Sequence, residues 1–180
     1  MRAAHPRGSR SRLSEVMRGP VSSRKARQPV APAADSVEPA VLRYLARRDR
    51  TEAQVRAFLL RAGASPARSR VVIAGLLRQG YLNDEAYALR WARARLARRP
   101  MGRLRLEVEL LNQGLDREIT ASTVEQVYRE RPERDLARQL LGLPKRQGQP
   151  GSRLVEAGLL RRHGFDDEMI EDLLGGGQLS

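Results

Sequence analysis

The sequence predicts an all-α fold of three tandem three-helix repeats, each about 50 residues long, forming an elongated curved array behind a disordered basic N-terminal arm. Three observations predict it. From residue 37 onward, apolar residues recur at helical spacing. Helix-start residues and glycine stops punctuate that pattern at short intervals. The punctuation also repeats: Leu59, Leu110 and Leu160 each stand four residues before Gly63, Gly114 and Gly164, and those glycines are 51 and 50 residues apart. Thr51, Gly102 and Ser152 stand twelve residues before the same glycines as helix starts. A fixed period of this size marks a tandem array of supersecondary units.

The elements follow in order. Residues 1–36 mix Arg, Ser, Gly, Pro and Ala, with Leu13, Val16 and Met17 as the sole apolar cluster. Such a segment cannot bury enough surface to offset chain entropy, so it reads as a disordered basic arm and linker. The repeat domain spans 37–180, with repeats at about 37–83, 84–131 and 132–175. In the first repeat, Val37, Val41, Tyr44 and Leu45 share one helix face. Thr51 opens a second helix, with Gln54 completing a capping box, and Gly63 ends it. Ser65-Pro66 opens a third, carrying Val72, Ile73, Leu76 and Leu77, and Gly80 ends it. In the second repeat, Asp84 caps a helix to about Arg98, bearing Tyr87, Trp91 and Leu96. Pro100-Met101-Gly102 breaks it. A helix from Arg103 to Gln113 and one capped by Asp116 complete the unit. In the third, Leu136, Leu140 and Leu141 lie on a first helix, 142–151 is a Gly/Pro-rich loop, and Leu154, Leu159 and Leu160 lie on a second. Asp166 or Asp167 starts the last helix, with Met169, Ile170, Leu173 and Leu174.

Composition narrows the function. The chain of 180 residues has no cysteine, which excludes disulfides, thiolate metal sites and a cysteine nucleophile. Its histidines are His5 and His163, too far apart for an acid–base relay or a histidine-rich metal site. Gly175-Gly176-Gly177 lacks the Lys-Ser/Thr of a phosphate-binding loop. No catalytic constellation can be assembled, so a non-enzymatic protein without cofactor or metal is expected. No apolar run is long enough to span a membrane, and the Arg-rich start lacks the apolar stretch of a secretory signal. The expected location is the cytoplasm.

The formal net charge is +13, from 34 basic and 21 acidic residues. Residues 84–105 carry a net of +5 through Arg90, Arg93, Arg95, Arg98, Arg99, Arg103 and Arg105, and 138–162 carry another +5 that includes Arg153 and Arg161. Residues 166–172 hold five acids and no base. Basic bands of this kind favour polyanions through counterion release. Aromatics are only 4% of the chain, so stacking recognition of bases is not expected. Tyr87 and Trp91, four residues apart, read as core packing, and Glu109 as an intrahelical ion-pair partner of Arg105.

The second repeat also carries a recognisable motif. Gly80-Tyr81-Leu82-Asn83-Asp84-Glu85-Ala86-Tyr87-Ala88 precedes Trp91 and Arg95, and Gly102, Leu106, Glu109 and Leu110 precede Gly114. This pattern resembles the RecX family of bacterial recombinase regulators, over about residues 37–175. The sequence departs from regularity at Ala64, where the later repeats have Leu115 and Phe165, and at the 142–151 break. The resemblance implies a negative regulator of the recombinase RecA. Such a regulator lies in the groove of the RecA–single-strand DNA filament and inhibits ATP hydrolysis, filament growth and strand exchange. On that reading Arg90, Arg93, Arg98, Arg99, Arg103, Arg105, Arg153 and Arg161 are the expected RecA- and DNA-binding residues. The implied partners are the RecA filament, single-stranded DNA and, weakly and nonspecifically, duplex DNA; the chain is expected to be monomeric and to have no membrane partner. The residues alone also permit a stand-alone helical DNA-binding module or a protein-binding repeat scaffold.

Overall fold

The computed structural model describes residues 37–142 and 152–175; the predicted arm (1–36), most of the 142–151 loop and the last five residues lie outside them. Among the described residues are nine α-helices and no strand: α1 (Val37–Ala46), α2 (Glu52–Arg61), α3 (Pro66–Arg78), α4 (Asp84–Arg98), α5 (Arg103–Asn112), α6 (Arg117–Glu130), α7 (Glu133–Leu141), α8 (Ser152–Arg162) and α9 (Asp167–Gly175). They group in threes, as the period predicts.

Local chemistry explains most helix ends. Thr51, Ser65 and Asp116 are N-caps whose side-chain oxygens accept the N–H three residues on. Asp166 does the same for Met169. At the far ends, Ala64 N–H returns to Leu59 O, Tyr81 N–H to Leu76 O and Phe165 N–H to Leu160 O, satisfying carbonyls the helices leave open. Two caps differ from expectation. Asn83, not Asp84, caps α4 by accepting from Ala86 N–H (2.8 Å), which leaves the Asp84 carboxylate free for another task. Gln54 makes half a capping box: its N–H donates to Thr51 Oγ1 (3.2 Å), but its amide turns away from Thr51.

The repeat leucines sit at the centres of the packing. Leu59, Leu110 and Leu160 are each 0% exposed. The first unit has its own core, in which Val37, Val41, Val55, Leu59, Val72, Ile73, Leu76 and Leu82 meet. Tyr44 stacks on Phe58 with ring centroids 4.3 Å apart, and the Arg50 guanidinium lies over Tyr44 at 4.1 Å. The second and third units share one continuous core, from Tyr87 and Leu96 through Leu106 and Tyr128 to Leu136, Leu160, Phe165 and Ile170. Leu115 and Phe165, the bulky residues after the repeat glycines, are buried in it.

One joint links each unit to the next, and it is built twice. In the first, Glu52 N–H at the start of α2 donates to Asp84 Oδ1 (2.9 Å), and Thr51 Oγ1 donates to Gln113 O (2.8 Å). In the second, Arg103 N–H at the start of α5 donates to Glu133 Oε1 (2.8 Å), and Gly102 N–H donates to His163 O (2.9 Å). Thus the first acid of one unit, and a carbonyl before its repeat glycine, satisfy open donors at the middle helix of the preceding unit. The glycines are there for clearance. A Cβ on Gly102 would fall 2.1 Å from Gly164 O, and one on Gly164 (φ +80) 2.4 Å from Arg105 Cβ.

That contact sets a test with a sign. At φ −82, Gly102 has ordinary backbone geometry, so Gly102→Ala would gain about 0.4–1 kcal/mol from the unfolded chain if space allowed. The clash should instead cost about 1–3 kcal/mol. Gly75→Ala, inside α3 with nothing within 4 Å, should gain stability. Urea denaturation of the two variants should therefore move in opposite directions.

Candidate functional site

The arginine-rich surface is carried by α4 and α5, with an outpost on α8. Helix α4 buries Tyr87, Ala88, Ala92 and Leu96, which leaves Arg90, Arg93 and Arg98 on its exposed side. Trp91 is half-buried against the core rather than inside it.

The structure sorts the expected binding residues into two groups. Five hold carboxylates. Arg90 donates twice to Asp49 Oδ2 (2.7 and 3.1 Å), and Arg93 is bidentate on Glu130 (2.5 and 2.9 Å). Arg103 reaches Glu133 (3.2 Å) and lies 4.9 Å from the centre of the Tyr128 ring. Arg105 donates to Glu109 Oε1 (3.1 Å) and to Arg162 O (2.9 Å), and Arg161 to Asp167 (2.6 Å). Arg98, Arg99 and Arg153 are exposed and have no carboxylate partner among the described residues. Arg98 also complements the C-terminal end of the α4 dipole.

Beneath this surface lies an ion cluster that only half shows in the sequence. Glu109 takes both Arg105, one helical turn away, and Arg95 from α4, which is bidentate at 2.6 and 3.0 Å. The Arg95 hydrogen bonds, with Arg105 behind them, hold the Glu109 carboxyl below its ordinary range. Glu130 is likewise held low by Arg93. The two joint carboxylates go the other way: burial pushes both Asp84 and Glu133 up. Burial also raises the Tyr128 phenol, which donates to Met101 O at 2.8 Å. Arg95, Asp84, Gln54 and Gln113 were outside the expected set. The one hint for Asp84 is that Glu133 follows it by 49 residues, close to the repeat period.

Among the described residues, no group of His, Asp and Glu is placed to hold a metal ion, and no helix is long and apolar enough to cross a membrane. The arrangement is one of fixed cations on a helical scaffold.

Comparison with known proteins agrees with this architecture. Residues 83–123 match the family model described as "RecX, second three-helix domain". The chain is 32% identical over 141 residues to the regulatory protein RecX of Mycobacterium sp. (strain JLS), covering 74% of this chain and 76% of that one. It is 34% identical over 121 residues to RecX of Amycolatopsis mediterranei (strain U-32), covering 67% of each. The fold resembles the crystal structure of RecX from Lactobacillus salivarius with a TM-score of 0.69, at 18% identity, covering 79% of this chain and 95% of that one.

The Glu109 cluster sets a pH-dependent expectation. With a lowered folded-state value, its contribution is complete above the ordinary carboxylate value of 4.5 and is lost as pH falls through the lowered one. Glu109→Gln should cost about 1–2 kcal/mol at neutral pH, a charged hydrogen-bond contribution discounted for partial exposure. The difference from the parent chain should vanish in acid, as followed by denaturant midpoints across pH.

Proposed function

We propose, because the chain belongs to the RecX family of non-enzymatic regulatory proteins, that it is a negative regulator of the recombinase RecA. It binds in the groove of the RecA–single-strand DNA filament and inhibits ATP hydrolysis, filament growth and strand exchange. It acts in the cytoplasm as a monomer, and it touches DNA weakly and without sequence preference.

The observation that carries this reading is the division among the arginines. Arg98, Arg99 and Arg153 have no internal carboxylate among the described residues, so they face outward to meet acidic recombinase side chains or backbone phosphates. Arg90, Arg93 and Arg161 sit in ion pairs that are about half exposed. Exposed pairs of this kind contribute about 0–1 kcal/mol, so an incoming phosphate can displace the carboxylate. Arg103 and Arg105 are held more firmly, by the joint at Glu133 and by the Glu109 cluster, and serve to shape the surface as well as to charge it. The repeated joint gives the partner a series of similar units along which to bind.

The test is the Arg98→Glu/Arg99→Glu double variant in an assay of RecA–single-strand DNA ATPase. Potency of inhibition should fall about tenfold or more, since charge reversal places like charges against the partner. Full inhibition by a folded double variant would remove these residues from the interface. Steeply salt-dependent binding to bare duplex, with no effect on RecA, would favour a stand-alone DNA-binding module instead.

A further inference from the structure

At the joint between the first and second units lies a groove of about 360 Å³. Its size is within the range of about 300–1,000 Å³ of small-ligand sites. Arg48 and Asp49 from the α1–α2 connection, Gln54 of α2, Tyr87, Arg90 and Trp91 of α4, and Gln113 at the end of α5 line it. We infer that this groove takes one unpaired nucleobase and its phosphate, with the base stacked on Trp91, a mode that the low aromatic content of the chain gave no reason to expect. The inference deepens the reading above, because it rests on single-stranded DNA being among the partners.

Three features of the groove converge on that ligand. Trp91 is half-buried and lines the groove, so the indole is anchored by the core on one side and available for stacking on the other. The two glutamines are partly committed to each other. Gln54 Nε2 donates to Gln113 O and Oε1, both at 3.3 Å, and Tyr87 Oη donates to the same Oε1 at 3.2 Å. This leaves Gln54 Oε1 and Gln113 Nε2 without a protein partner among the described residues, one acceptor and one donor to meet a base edge. At the rim, Arg48 is exposed and carries no carboxylate partner among the described residues, and the Arg90–Asp49 pair is open to water on both sides. Both guanidinium groups suit a phosphate. An acidic peptide would use the arginines but leave the indole and the amides idle. In a duplex the bases are stacked on each other and cannot enter.

Trp91 is the single tryptophan of the chain, so its fluorescence reports this groove alone. The full chain is titrated with a thymidine oligomer, with an abasic oligomer of equal length, and with a hairpin duplex. The thymidine oligomer should quench the emission saturably and bind about 5- to 150-fold more tightly than the abasic one, the range expected for stacking of one base. Arg48→Ala, at an exposed position, should weaken thymidine-oligomer binding and reduce the salt slope by about one. Equal quenching by the abasic oligomer or by the duplex, no quenching at saturation, or an unchanged affinity in Arg48→Ala would overturn the inference. RecA is absent from these titrations. Loss of RecA inhibition would therefore count against the regulatory reading alone, and loss of quenching against this site alone.

Discussion

The joint between units is the constraint on which the rest of the structure depends. A helix leaves its first N–H groups unsatisfied; at α2 the Thr51 side chain serves one of them, and at α5 Gly102 serves none. The chain solves this by lending groups across the repeat boundary. Asp84 serves Glu52 N–H, and Glu133 serves Arg103 N–H. Gln113 O and His163 O arrive from just before the repeat glycines. Removing water from such a carboxylate is costly, which is why burial raises both Asp84 and Glu133 despite the hydrogen bonds they accept. By the linkage relation, each therefore contributes most at low pH and less as pH rises through its raised value. The joint thus gains geometric definition at some electrostatic cost, and the glycine clearance at Gly102 and Gly164 makes the close approach possible.

The same economy shapes the surface. The second unit is rich in arginine, and most of that charge is spoken for. Glu109, Glu130 and Glu133 each hold at least one guanidinium from α4 or α5. Net charge alone would paint the whole of 84–105 as a binding face. Pairing divides it into cations that brace the unit and cations that remain at the end of α4. In the proposed function the second sort meets the partner, and the first sort positions it.

What the sequence made legible was local. Caps at Thr51, Ser65 and Asp116, and stops at Gly63, Gly114 and Gly164, depend on neighbours within one turn, so helix order could be read directly. The leucines at the repeat centres were legible for the same reason, since each stands four residues before its glycine. Partners farther along the chain were hidden. Arg93 and Glu130 are 37 residues apart, and Gln54 and Gln113 are 59 apart. Asp84 reads in isolation as the N-cap of its own helix, a place that Asn83 takes. Only the register between repeats reveals that it points to a different helix. The joint groups were therefore readable in principle as a second periodic series, Asp84 and Glu133, laid over the series of leucines and glycines.

Comparing the two joints position by position shows how differently they are lined. At the repeat offset, the counterparts of Gln54, Tyr87, Trp91 and Gln113 are Arg105, Leu136, Leu140 and His163. In the second joint Arg105 is spent on Glu109 and Arg162 O, and the positions of both aromatics are held by leucine, with Leu136 fully buried. No indole and no pair of amides is available there. One element does recur: Arg48 and Arg99 are 51 residues apart, each just before a middle helix, and both are exposed without a carboxylate partner among the described residues. Corresponding joints therefore support unlike chemistry, with an exposed arginine repeated at each and aromatic side chains beside the first, where the second has leucine. Repetition gives the protein a register, and departure from repetition sets the chemistry of one joint apart from that of the other.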